Sequence, residues 1–100
     1  MTYESKIKDK ETNELFEAVL KLENIEECYR FFEDICTIKE IKAIAQRLHV
    51  AKLLRQKETY SHIEEETGAS TATISRISRC LNYGADGYNI ILDRLGYKED

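Results

Sequence analysis

The sequence predicts an all-α chain of short helices, and three observations predict it. The 100 residues include no Pro and only 4 Gly, too few turn-formers for a many-stranded β fold. Apolar residues recur at three- and four-residue spacing rather than in alternation. Side chains able to cap helices stand at the start of most apolar stretches. A chain of this length reads as one domain over residues 1–100. It buries roughly 60–70% of the surface it exposes unfolded, so a partner chain would extend a modest core.

The elements follow in order. Leu15, Phe16, Val19, Leu20 and Leu22 recur at helical spacing and predict a helix over residues 10–22. Asn24 followed by Glu27 caps a second helix over residues 25–35. Its apolar residues, among them Ile25, Cys28, Tyr29 and Phe32, cover more than one face and suit burial against two neighbours. Thr37-Ile38-Lys39-Glu40 is a capping box that opens the longest helix, residues 38–57. Ile38, Ile41, Ile44, Ala45, Leu48, Ala51 and Leu54 form its expected inward stripe. Asp86 is expected to cap a last helix over residues 86–95, with Tyr88, Ile91, Leu92 and Leu95 as its apolar stripe. Residues 96–100 read as a tail, frayed at Lys98-Glu99-Asp100.

Composition bounds the function. Fifteen basic residues against 19 acidic give a net charge of −4, and 42% of the residues are hydrophobic. That balance is globular, neither disordered nor membrane-embedded. Residues 1–36 carry a net −5 and residues 37–57 a net +5. The acidic total speaks against indiscriminate nucleic-acid binding, while the basic middle leaves room for a specific site. The start, Met1-Thr2-Tyr3-Glu4-Ser5-Lys6, has no apolar stretch of the kind a secretory signal needs. The longest apolar run, Ile90-Ile91-Leu92, is far short of the roughly 20 residues of a membrane span. Cys28, Cys36 and Cys80 are odd in number and widely spaced, which fits reduced thiols in a cytoplasm, packed as small core residues. His49, His62 and the cysteines match no zinc spacing, and no phosphate loop or nucleophile motif is present. Neither a metal site nor an enzyme is therefore expected.

Residues 59–82 carry the most information. Thr59 or Ser61 caps a short helix whose inward residue is Ile63, with Ser61-His62-Ile63-Glu64 a second candidate box. Gly68 stands where a left-handed residue ends that helix, and Ala69 is small and inward. Ser70 caps the next helix, in which Ile74, Ile77, Cys80 and Leu81 point inward. Helix, glycine turn, helix is the helix-turn-helix pattern. A helix that enters the major groove by its N-terminus needs short side chains with hydroxyls or methyls in its first turn. Thr71, Ala72, Thr73 and Ser75 are of that kind and are the expected base-reading residues. Arg76, Arg79, Arg47 and Ser70 are the expected contacts to the DNA backbone.

The block Ile63…Thr67-Gly68-Ala69-Ser70…Thr73-Ile74-Ser75-Arg76 resembles the motif of many bacterial repressors. Thr37 to Leu81, with TIKE…A…QRL, Leu53-Leu54-Arg55 and GAS-TATISR, resembles the Trp repressor superfamily. The amino-terminal stretch LENIEECYRFFEDICTIKE is similar to the YerC/YecD-like subgroup of that superfamily. The resemblance implies an all-α, six-helix Trp-repressor-like fold in an intertwined homodimer. Residues 10–57 would form the dimerisation and core helices, residues 59–82 the helix-turn-helix and residues 86–95 the C-terminal helix. It implies a cytoplasmic, sequence-specific DNA-binding transcriptional regulator, a repressor, that reads a palindromic operator in double-stranded DNA.

In that family tryptophan is the corepressor, and two arginines flank it. The resemblance carries those onto Arg47 and Arg76, and a pocket threonine onto Thr37. The chain departs from the pattern at three places. The family's glycine beside the indole is Ile77, the serine that meets the ligand's amino group is Cys80, and the apolar residues before the threonine are Asp34 and Cys36. Thr37, Arg47, Arg76, Ile77 and Cys80 therefore read as a vestigial ligand pocket filled by Ile77, with no tryptophan and no other cofactor expected. On the first motif helix Glu64 stands in place of a basic residue and Ser61 in place of an arginine, and Glu65 and Glu66 enlarge an acidic patch near the DNA face. That patch motivates the alternative, a helical protein-interaction module that kept the fold and lost DNA binding.

Overall fold

The computed structural model describes residues 3–97. Among them it has six helices and no strand: α1 (Lys10–Val19), α2 (Ile25–Ile35), α3 (Ile38–Arg55), α4 (Tyr60–Thr67), α5 (Thr71–Tyr83) and α6 (Gly87–Leu95). The chain divides into two compact units, one ending at Thr37 and one beginning at Ile38.

In the first unit Asp9 caps α1 by accepting from the Thr12 N–H at 2.7 Å. That bond holds the Asp9 carboxyl below the usual carboxylate range. The helix stops at Val19 rather than at residue 22, because the chain must reach the extended backbone of Asn24 (φ −158°). Lys21 and Leu22 close a tightened last turn by donating to the carbonyls of Ala18 and Val19. Asn24 then caps α2 as expected, accepting from the Glu27 N–H at 2.9 Å. Glu27 reaches back to the Glu23 N–H, one residue before the cap. Neither helix contains a buried residue, and Phe16, Leu20, Ile25, Tyr29 and Ile35 are exposed.

In the second unit α3 packs against α4, α5 and α6, α4 packs against α5, and α5 against α6. The core is Val50, Ala51 and Leu53 of α3, Ile63 of α4, Ala69, Ile74 and Ile77 of the motif, and Leu92 of α6. Burying a branched side chain of this kind stabilises a fold by about 1.5–3 kcal/mol. The apolar stripe expected on α3 is only partly inside. Ala51 is buried and Leu54 half-buried, but Ile38, Ile44 and Leu48 are exposed, while Val50 and Leu53 face the core. The buried residues of α3 all fall between Val50 and Arg55, near its C-terminal end.

Three further expectations need correction. Cys28 and Cys80 are exposed and Cys36 half-buried, so the thiols are free but not core residues. Cys80 falls beside the inward row Ile74, Ile77 and Leu81 of α5, and Cys28 lies on a helix that buries nothing. α3 ends at Arg55 rather than at residue 57 because Lys57 turns left-handed (φ 65°). Lys57 N–H donates to Leu54 and Glu58 N–H to Leu53, a helix stop made without glycine. Asp86 precedes α6 but is itself left-handed (φ 70°), and its side chain caps no backbone N–H. Its carboxylate instead accepts from Asn89 Nδ2 at 2.9 Å.

α6 closes on Gly96, whose left-handed φ of 93° lets Tyr97 N–H return to the Leu92 carbonyl. Tyr97 is therefore fixed rather than part of a tail, and Lys52 Nζ sits 4.6 Å from its ring centre. Lys98, Glu99 and Asp100, expected to fray, lie outside the described residues.

That stop also presents an acceptor to the buried Arg55 of α3. Its guanidinium donates to Asp93 Oδ1 at 2.7 Å, to the Tyr97 carbonyl at 2.9 Å and to Asn89 Oδ1 at 3.1 Å. Asn89 Nδ2 passes the link on to the Leu81 carbonyl of α5 at 3.0 Å. One cation thus joins three helices. Arg55→Ala should destabilise the fold by roughly 1.5–3 kcal/mol, the worth of hydrogen bonds to a charged group. A urea midpoint that falls with unchanged slope would show it, and Asp93→Asn should cost less because Asp93 is largely exposed.

Candidate nucleic-acid interface

The site is built from α4, the turn and α5. Thr59, not Ser61, caps α4 by accepting from the His62 N–H at 3.1 Å. Ile63 is fully buried beneath it. Gly68 ends α4 in the left-handed region (φ 76°) and its N–H returns to Glu64. Thr67 closes the turn twice over, donating its hydroxyl to the Ile63 carbonyl at 2.7 Å and accepting from the Ala69 N–H at 3.1 Å. From α3, Gln46 Nε2 donates to the Thr67 carbonyl at 3.0 Å, so the turn is anchored to the longest helix. Gln46 and the Thr67 clamp are not legible in the sequence, because both depend on the turn's folded path.

Ser70 caps α5: its Oγ accepts from the Thr73 N–H at 3.2 Å and donates to Thr73 Oγ1 at 3.1 Å. Ile74 and Ile77 bury the inner side of α5, which leaves Thr71, Ala72, Ser75, Arg76 and Arg79 exposed and Thr73 half-buried. The expected base-reading residues therefore share the first turns of one exposed helix. Ser75, Ser78, Arg79, Asn82 and Tyr83 line an open cleft along its outer side. The polar members Ser78 and Asn82 of that cleft carry no signal of their own in the sequence.

The acidic patch is not uniform. His62 Nε2 lies 2.9 Å from Glu66 and 3.6 Å from Glu58, along the surface of α4. Glu64 turns instead to α5 and accepts from the Thr71 hydroxyl at 2.7 Å.

The sequence model of the Trp repressor protein family matches residues 10–96 of this chain. The chain belongs to that family. It is 60% identical over 90 residues to YerC of Bacillus subtilis (strain 168), a protein of uncharacterised function, and the match covers 90% of this chain and 86% of YerC. A crystal structure of a Trp repressor candidate from Staphylococcus aureus superposes with a TM-score of 0.90 at 53% identity, over 95% of each chain. A TrpR-like protein from Eubacterium eligens superposes with a TM-score of 0.89 at 54% identity, over 95% of this chain and 98% of its own. Membership places the chain among helix-turn-helix DNA-binding regulators rather than enzymes. Among the described residues no helix is long and apolar enough to cross a membrane.

The family's ligand-pocket positions within the second unit have distinct surroundings. Ile77 is buried in the core, whereas Arg47, Arg76 and Cys80 are exposed. Half-buried Tyr88 of α6 lies close enough to Cys80 and Arg47 to feel both. Burial pushes its phenol up, the Cys80 thiol adds to the rise, and Arg47 opposes it.

Gly68 supplies a test of the turn. A Cβ there would meet no atom within 4 Å, so any penalty comes from the backbone alone. Gly68→Ala should cost about 1–2 kcal/mol in thermal or urea unfolding, and Gly68→Asn clearly less, because Asn tolerates the left-handed region.

Proposed function

We propose that this chain is a sequence-specific transcriptional repressor that acts as a homodimer in the cytoplasm and needs no tryptophan. The observation that carries it is the exposed first turn of α5, small and hydroxyl-bearing, on a helix clamped at both sides of its turn. Thr71, Ala72, Thr73 and Ser75 read base edges in the major groove. Arg76, Arg79, Arg47 and Ser70 hold phosphates.

The dimer reading rests on the first unit. Leu20 and Ile25 are 83% and 75% exposed, and α1 and α2 bury nothing of their own. An apolar face of this kind belongs against another surface, and the family supplies a second copy of the same chain. Two-fold symmetry then sets the reading helices about 34 Å apart, one helical turn of DNA.

The absence of a corepressor rests on Ile77 and Tyr88. Ile77 takes the place of the family's indole-facing glycine and is 3% exposed. Tyr88 packs against the same core beside Cys80 and Arg47. Together they supply from within the support that a bound indole gives α5.

Selection of bound fragments from genomic DNA should recover a palindrome without any added small molecule, and adding L-tryptophan should leave the enrichment unchanged. A requirement for tryptophan would overturn the corepressor-free reading. Failure to enrich any sequence from an intact dimer would favour the protein-interaction module. Within a recovered operator, Thr73→Ala should relax preference at one position by about 1–3 kcal/mol. Arg79→Ala should instead weaken all sequences alike and lower the salt slope by about 1 for each phosphate no longer neutralised.

A further inference from the structure

The one contact on the reading face that the DNA-binding role leaves unexplained is a carboxylate. Glu64 belongs to α4, yet its Oε2 accepts from the hydroxyl of Thr71, the first residue of α5, at 2.7 Å. Both residues are exposed. The bond spans seven residues and the whole turn, so it fixes the carboxylate over the N-terminus of the reading helix. Glu66 does not share this place, since it lies on His62 along α4. Glu64 Oε1 has no partner among the described residues.

A carboxylate only accepts hydrogen bonds. Carried into a groove and stripped of water, it must find a donor or raise the energy of the complex. The major groove offers two donors, the N4 amino group of cytosine and the N6 amino group of adenine. Guanine O6 and N7 and thymine O4 are acceptors and repel it. Adenine's amino group stands beside the N7 acceptor, whereas the neighbour of cytosine N4 is a C–H edge. Cytosine therefore satisfies Glu64 with one flanking acceptor fewer than adenine. The same bond commits the Thr71 hydroxyl proton to Glu64, so Thr71 meets the groove with its methyl group and its oxygen lone pairs.

We propose that Glu64, held in place by Thr71, is a base-specificity residue that selects a C·G pair in each half-site by accepting from the cytosine amino group. The inference rests on the reading of α5 as a groove-entering helix. It makes the departure from a basic residue at this position a gain of discrimination, because sequences without the amino group leave a buried charge unpaired.

The test repeats the fragment selection with the full chain and with Glu64→Ala, Glu64→Gln and Thr71→Val, each first checked for wild-type helicity and melting. The wild type should enrich half-sites with a fixed cytosine at one position near the N-terminus of α5. Glu64→Ala should lose at least tenfold of the discrimination at that position alone. Glu64→Gln should move the preference to adenine, whose N6 and N7 match a carboxamide. Thr71→Val should weaken the cytosine preference without changing the preferred base. Unaltered base preferences in both Glu64 variants would overturn the inference alone, as would a uniform gain of affinity for all sequences, which marks mere repulsion of phosphates. A wild type that enriches no sequence would overturn the DNA-reading function together with it.

Discussion

The second unit depends on one buried cation. Its apolar core is small, and the only residue of α6 wholly inside it is Leu92. A helix of nine residues held by Leu92 and the half-buried Tyr88 alone has a small apolar anchor. Arg55 adds to it by meeting three acceptors that lie at different heights along and just beyond α6: Asn89, Asp93 and Tyr97. The planar fork of a guanidinium meets such a set from two nitrogens, whereas a lysine would have to draw all three acceptors to one. Because Asn89 also holds the Leu81 carbonyl, the restraint continues into α5. Helix α5 is thereby set from both ends, by the Gln46–Thr67 clamp just before its start and by the Arg55–Asn89 relay near its finish.

What is legible in the sequence is local. Asn24 and Ser70 cap their helices by geometry that three or four consecutive residues define. Gly68 ends α4 because one residue type fits the left-handed turn best, and Ile63, Ile74 and Ile77 face inward because helical spacing puts them together. What escapes depends on the rest of the chain. The stop at Lys57 uses a residue that carries no signal for positive φ. Asp86 has the composition of a cap, but its backbone conformation directs the carboxylate to Asn89 instead. Periodicity misplaces the α3 stripe because tertiary packing, not amphipathic pattern, decides which side of a helix meets its neighbours. Arg55 is invisible as a core residue because arginine is rarely buried unless its partners, distant in sequence, are already in place.

The apolar surface left outside follows the same division. Leu20, Ile25 and Tyr29 on the first unit, and Ile44 and Leu48 on α3, are apolar residues left exposed. A proposed second copy accounts for them without any new chemistry.

A ligand can shift a conformational equilibrium only by binding one state better than the other. In a family member whose pocket is open, tryptophan supplies that difference. In the proposed reading, Ile77 and Tyr88 remove it, because the chain's own side chains pack beside α5 where a ligand would sit. Occupancy of the operator would then follow from protein concentration and ionic strength alone. Under that regime non-specific affinity is a burden, since nothing switches it off. A net charge of −4 would reduce it and leave the contacts to base edges to decide where the protein sits.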